Sequence, residues 1–151
     1  MAKSNFQKAV EGTPDISTGY RSGLQALKRN ERSSVVATDT RRLDGSVDID
    51  TAEQEKYPND NRWDYAIGYS GKVCYVEVHP AYTSEVSVVE NKLKWLKTWL
   101  KEKAPLLDGI PKAAPAFVWV QTGKGGILPR SSQARKLAAM GVTIVPVHKL
   151  Q

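Results

Sequence analysis

Arg62-Trp-Asp-Tyr-Ala-Ile-Gly-Tyr-Ser-Gly-Lys-Val-Cys-Tyr-Val-Glu-Val-His-Pro-Ala81 is the stretch whose reading decides the fold. Two runs rich in β-branched and aromatic residues flank Ser70-Gly71, a two-residue hairpin signal. If Ser70 and Gly71 form the loop, Tyr69 pairs with Lys72 and Asp64 falls opposite Glu77. Alternation places Asp64, Ala66 and Gly68 on one face of the first strand, and Tyr75, Glu77 and His79 on one face of the second. Directly opposed side chains on such strands start about 5 Å apart, and like charges there repel. A hard divalent cation shared by Asp64 and Glu77, Mg²⁺ or Mn²⁺, would relieve that repulsion.

The same residues admit a plainer reading. The register could slip, or either carboxylate could face water or pair with Arg62 or Lys72. The environment argues for the first reading. Ala66 and Gly68 are small and are expected to leave space beside Asp64. The second strand is otherwise apolar, so Glu77 and His79 need a specific reason to lie in it.

Working outward, residues 1–16 read as a flexible N-terminal arm with a short helical turn around Phe6–Val10, and residues 17–151 as a single domain. Tyr20, Leu24 and Leu27 recur at helical spacing, so a helix is expected from Ser17 or Thr18. Val35–Ala37 reads as a short strand or connector. Ser46–Asp50 alternates like an exposed strand, on which Asp48 and Asp50 are either further ligands or a solvated edge. Residues 51–61 are polar and turn-rich, a loop leading into the hairpin. Beyond Pro80, Val86, Val89, Leu93, Leu96 and Leu100 form one helical stripe, widened by Trp95 and Trp99. That helix is expected over residues 84–103, capped by Thr83 or Ser84. Ala116–Gln121 reads as a central strand, Thr122–Gly126 as a loop, Ser132–Ala138 as a short helix and Val142–Val147 as a final strand with Pro146 at an edge. A strand, long helix, strand succession implies a parallel pair within a mixed sheet. The fold class expected is therefore α/β (α+β), a mixed β-sheet flanked by helices.

The chain has 151 residues, 40% hydrophobic and 25% charged, with one cysteine, Cys74. That composition suits a globular domain and leaves no disulfide framework. No run is long and apolar enough for a membrane span and no signal-peptide core is visible, so no membrane partner and a cytoplasmic location are expected. The net charge of +6 favours a polyanionic partner such as nucleic acid. The sequence leaves the oligomeric state open.

The helix, three-strand antiparallel meander, long helix and fourth strand, in the order α-β-β-β-α-β, resemble the core of the PD-(D/E)xK, restriction-endonuclease-like nucleases. Trp63-Asp64 resembles the family's Pro-Asp element, and Glu77-Val78-His79 resembles its Glu-x-Lys element. Gln121 matches a glutamine that follows on the next strand in some branches. The resemblance covers about residues 18–121. It implies metal-dependent hydrolysis of phosphodiester bonds in DNA or RNA, with Asp64 and Glu77 on the metal and His79 orienting or deprotonating water. Arg41, Arg42, Lys124 and Arg130 would track the phosphate backbone. Two residues depart from the pattern. Trp63 replaces the proline, and His79 replaces the lysine. Some branches supply that lysine from the following helix, where Lys92 and Lys94 lie. The missing lysine equally fits a domain that has kept the outline of the site, lost catalysis and become a binding or interaction module.

Overall fold

The computed structural model describes residues 2–80, 82–123 and 131–151. In chain order the regular elements are α1 (Asn5–Glu11), β1 (Tyr20–Arg21), β2 (Val35–Ala37), β3 (Leu43–Asp48), α2 (Ile49–Ala52), β4 (Tyr65–Tyr69), β5 (Lys72–Pro80), α3 (Val86–Glu102), α4 (Pro105–Asp108), β6 (Lys112–Thr122), α5 (Ser132–Ala139), β7 (Val142–Val145) and β8 (His148–Leu150). Six strands form an open mixed sheet in the order β1-β3-β4-β5-β6-β7, and β2 pairs with β8 in a separate parallel pair. β1, β3, β4 and β5 are antiparallel neighbours; β5, β6 and β7 run parallel. No helix among the described residues is long and apolar enough to cross a membrane.

The β4–β5 hairpin has the expected register, from Tyr65 opposite Val76 to Tyr69 opposite Lys72. Ser70 and Gly71 both take positive φ, 53° and 79°, as a two-residue turn that follows the strand twist requires. β5 is buried along almost all its length because helices cover one face and the β2–β8 layer covers part of the other.

Helix α3 buries Val86, Val89, Leu93, Leu96, Trp99 and Leu100 against the sheet. Each such side chain contributes about 1.5–3 kcal/mol of burial free energy. Its N-terminus differs from the expectation. A single 3₁₀ turn, Thr83–Glu85, precedes it, and Glu85 occupies the N-cap position without a side-chain cap bond. The tryptophans serve packing. Trp95 and Trp99 stack 5.8 Å apart, and their indoles donate to Asp60 and Glu53.

The N-terminal segment contradicts the sequence reading. Ser4 caps α1 by accepting from Gln7 N–H at 3.0 Å, and Phe6, Ala9 and Val10 are buried. Residues 5–16 are thus packed rather than a flexible arm, and the turn expected at Phe6–Val10 is part of α1, since α1 and Ile16 complete the core on the α3 side of the sheet. Phe6 also fills the space over Gly68 on that face. A Cβ built on Gly68 would lie 2.6 Å from the Phe6 ring, so the glycine is needed for this close approach. The helix expected from residue 17 is absent. Tyr20 pairs with Val47 in β1–β3, Gly23 takes φ +54°, and Leu27 packs on the opposite face with Val35 and Leu150.

Candidate functional site

The backbone ladder between β4 and β5 ends at Tyr65 and Val76, and side chains take over one step further on. Asp64 N–H donates to Glu77 Oε1 at 3.1 Å, and Val78 N–H donates to Asp64 Oδ2 at 3.0 Å. The carbonyl of Asp64 accepts from Ile49 and Asp50 N–H, which ties this corner to α2. Trp63, wholly buried against Phe117, anchors the strand just before Asp64. The structure therefore brings the two carboxylates together on the α3 side of the sheet, near the carboxyl end of β5.

Lys92, from the second turn of α3, donates to Glu77 Oε2. Lys94 points elsewhere and pairs with Glu90 at 3.5 Å. His79 lies at the edge of the cluster. Its Nδ1 is 3.9 Å from Glu77 Oε2, and its Nε2 is 3.0 Å from Glu85 Oε2. A carboxylate only accepts, so Nε2 carries the proton of that bond. Trp119 Nε1 donates to the His79 carbonyl at 2.9 Å, and Gln121 sits beside His79 in the β5–β6 register.

Burial dominates the electrostatics. It pushes the Asp64 carboxyl up to about 6, against the pull of the Lys92 ammonium and the Val78 N–H. Glu77 has no solvent exposure; burial and then the neighbouring Asp64 charge hold its carboxyl well above the usual range. Burial alone would lower Lys92, but the charges of Glu77 and Asp64 outweigh it and keep the amine protonated. Fully ionised, Asp64, Glu77 and Lys92 sum to one negative charge in a nearly dry site. That imbalance favours either a retained proton or an added cation.

The donor set fits Mg²⁺ or Mn²⁺. Asp64 Oδ1 has no partner among the described residues, and each carboxylate oxygen has a second lone pair to offer. Magnesium is commonly held by one or two carboxylates with waters and substrate phosphate completing its shell. Accordingly, the described residues gather no cluster of three or more His, Cys, Asp or Glu ligands. Asp48 and Asp50 are engaged elsewhere, Asp48 capping α2 through Thr51 and Asp50 pairing with Arg62 at 2.8 Å.

Of the four basic residues expected near the site, Arg41 and Arg42 are not brought to it. Arg41 and Arg42 sit at the hairpin-turn end of β3, where Leu43 pairs with Tyr69. Five residues of strand, roughly 17 Å, separate Tyr69 from Asp64. Arg41 is held by both oxygens of Asp39, and Arg42 lies over the Tyr69 ring. Lys124 and Arg130 lie outside the described residues. Reading the sequence missed Glu85 as the partner of His79, because a first-turn helical glutamate looks like an ordinary dipole-complementing charge.

Fold and site together define a mixed α/β domain with a buried two-carboxylate, one-lysine centre at the end of a sheet. Comparison with protein-family models, with curated proteins and with solved structures finds no match for this chain.

Proposed function

We propose that this protein is a metal-dependent nuclease of the restriction-endonuclease-like, PD-(D/E)xK kind, in which Lys92 of α3 takes the place of the third-strand lysine. The observation that carries this reading is the convergence of Asp64, Glu77 and Lys92 from three elements onto one buried face. The element order supports it in part: the antiparallel β3–β4–β5, α3 and the parallel β6 follow the expected order, while the helix expected from residue 17 is absent and α1 precedes the sheet instead.

Asp64 and Glu77 would hold the ion. When bound, it would lower the pKa of a water and offset the charge that builds up on phosphate. Lys92 fixes the Glu77 carboxylate and sets a positive charge beside the place where a phosphate would lie. His79, steadied by Glu85, presents an imidazole at the edge of the centre, where it can orient a water or accept a proton. The substrate class is a phosphodiester of DNA or RNA.

One observation favours a second reading, a catalytically silent binding module. Both oxygens of Glu77 already accept from protein donors, as they would in a purely structural ion pair. Calorimetry with Mn²⁺ together with cleavage assays on mixed DNA and RNA substrates separates the two. The nuclease reading requires ion binding and cleavage that both disappear in Asp64→Ala. A protein that binds nucleic acid but neither Mn²⁺ nor Mg²⁺ belongs to the second reading.

A further inference from the structure

A cleft of about 590 Å³ opens at the opposite end of the molecule, between the turn end of the β4–β5 hairpin and the β8 strand. It lies on the other face of the sheet from the carboxylate centre, because Cys74, which lines it, alternates with Tyr75 and Glu77 along β5. Arg42, Lys72 and Lys149 are exposed cations around it, and no Asp or Glu side chain lines it among the described residues. Deeper in, Cys74 Sγ and His148 Nε2 meet at 3.5 Å, and His148 is only 7% exposed. His148 Nδ1 has no partner among the described residues. Apolar walls come from Pro115, Val145 and Val147, the last 41% exposed.

We propose that this cleft is a binding site for a small organic anion, an apolar or aromatic body carrying a phosphate or carboxylate group. The volume lies within the range of small-molecule sites, whose walls are mainly apolar with a few placed polar groups. Lys72 and Lys149, which form no ion pair among the described residues, supply an anion seat together with Arg42, whose charge also acts on Asp39, and the buried imidazole supplies one directional hydrogen bond. The cations do not continue into a track for a nucleic-acid strand, since neighbouring Arg41 is neutralised by Asp39. Nor is the Cys74–His148 pair an activated nucleophile. Burial pushes the thiol up to about 12 and lowers the imidazole, so both stay neutral. The site stands apart from the nuclease centre and does not depend on it.

The chain has two histidines, His79 and His148, so ring-labelled histidine gives one reporter in each region. The probes are phenyl phosphate, adenosine monophosphate, benzoate and inorganic phosphate, titrated into the full chain and followed by NMR. At least one of the three organic anions should move the His148 signals saturably and leave those of His79 in place. The surface variant Lys72→Glu/Lys149→Glu, which leaves the core intact, should weaken that binding about tenfold or more. The proposal is overturned if no organic probe shifts His148 by about 10 mM, a limit weaker than any specific site. It is equally overturned if inorganic phosphate binds as well as the organic anions, or if the double variant binds unchanged.

Discussion

Two pairs of carboxyl groups meet in this fold, Asp64 with Glu77 and Asp15 with Glu53, and each has a lysine beside it. In the first pair the lysine is buried with its partners. Lys92 reaches Glu77 from α3, and both acids are pushed upward together. In the second pair Lys56 is half-exposed and binds Asp15 at the surface, while Glu53 is buried beneath, accepting from Trp99 Nε1 at 2.7 Å. There the two acids diverge. Glu53 rises to about 7, chiefly through burial, whereas hydrogen bonds from Glu53 and Lys56 hold Asp15 below its usual value despite its own burial. Burial thus favours a proton on Glu53, which it can share with the neighbouring Asp15. The Asp64 centre keeps an oxygen, Asp64 Oδ1, with no partner among the described residues, and its two raised carboxyls leave it open to a retained proton or an added cation. An acidic pair closed by a shared proton is a structural tie, whereas one left with an open oxygen can take a cation, as the proposed reading of Asp64 and Glu77 requires.

The largest expected difference is in activity. Asp64→Asn should lower Mn²⁺-dependent cleavage about a thousandfold, some 4 kcal/mol of transition-state stabilisation, because the ion loses a ligand. Asp15→Asn should leave turnover within about twofold, as expected for a surface change far from the reacting atoms. Equal losses in steady-state assays would erase the distinction between the pairs.

Next in size is the contrast between the lysines. Lys92→Met strands Glu77 without a countercharge, and loss of one member of a buried pair costs about 3–5 kcal/mol. Denaturant unfolding should show that loss and should show most of it recovered in Lys92→Met/Glu77→Gln. Lys56→Met removes an exposed pair worth about 1 kcal/mol or less. Comparable values for the two lysines would mean that Glu77 is better solvated than its burial indicates. Smaller again, His79→Ala should slow cleavage about ten- to a hundredfold while leaving Mn²⁺ affinity unchanged, since His79 touches Glu77 only from its edge. Calorimetry and kinetics on the same variant check both halves.

The parts of this comparison that could be read from sequence are the locally encoded ones. The Ser70-Gly71 turn fixes the hairpin register within two residues, and the register fixes Asp64 against Glu77. The α3 stripe is long enough for its period to be unmistakable. Helical phase then separates Lys92, next to the buried Val89 and Leu93, from Lys94 on the outer face, a distinction the residue types alone could not make. The N-terminal helix showed only as a short turn within an arm, because seven residues hold about two turns of pattern and its partner, Gly68, is some sixty residues away. The expected helix at Tyr20 failed for the opposite reason. Its spacing was right, but Tyr20 and Leu27 are claimed by different faces of the sheet. Glu53, in a polar loop, gave no sign of burial, because that burial is imposed by Trp99 from α3.

Glu53 offers the finest test, a pH dependence whose sign distinguishes a shared proton from an ion pair. Its folded value of about 7 lies above the ordinary glutamate value of 4.5, so between those pH values the native state holds more protons than the unfolded chain. Stability contributed by Glu53 is therefore complete below about pH 4.5 and declines as pH rises towards 7. The expected loss is about 1–2 kcal/mol, allowing for screening on the solvent side of Asp15 and Lys56. Glu53→Gln keeps an acceptor for Trp99 and a donor for Asp15 without a titrating proton. Thermal unfolding of this variant should match the native chain near pH 4.5 and exceed it at pH 8. Asp64 and Glu77 have the same sign and tilt both curves equally, so the difference between the two proteins isolates Glu53. A variant less stable than the native chain at pH 8 would mean that Glu53 is ionised in the fold and that the two carboxyl pairs are built alike.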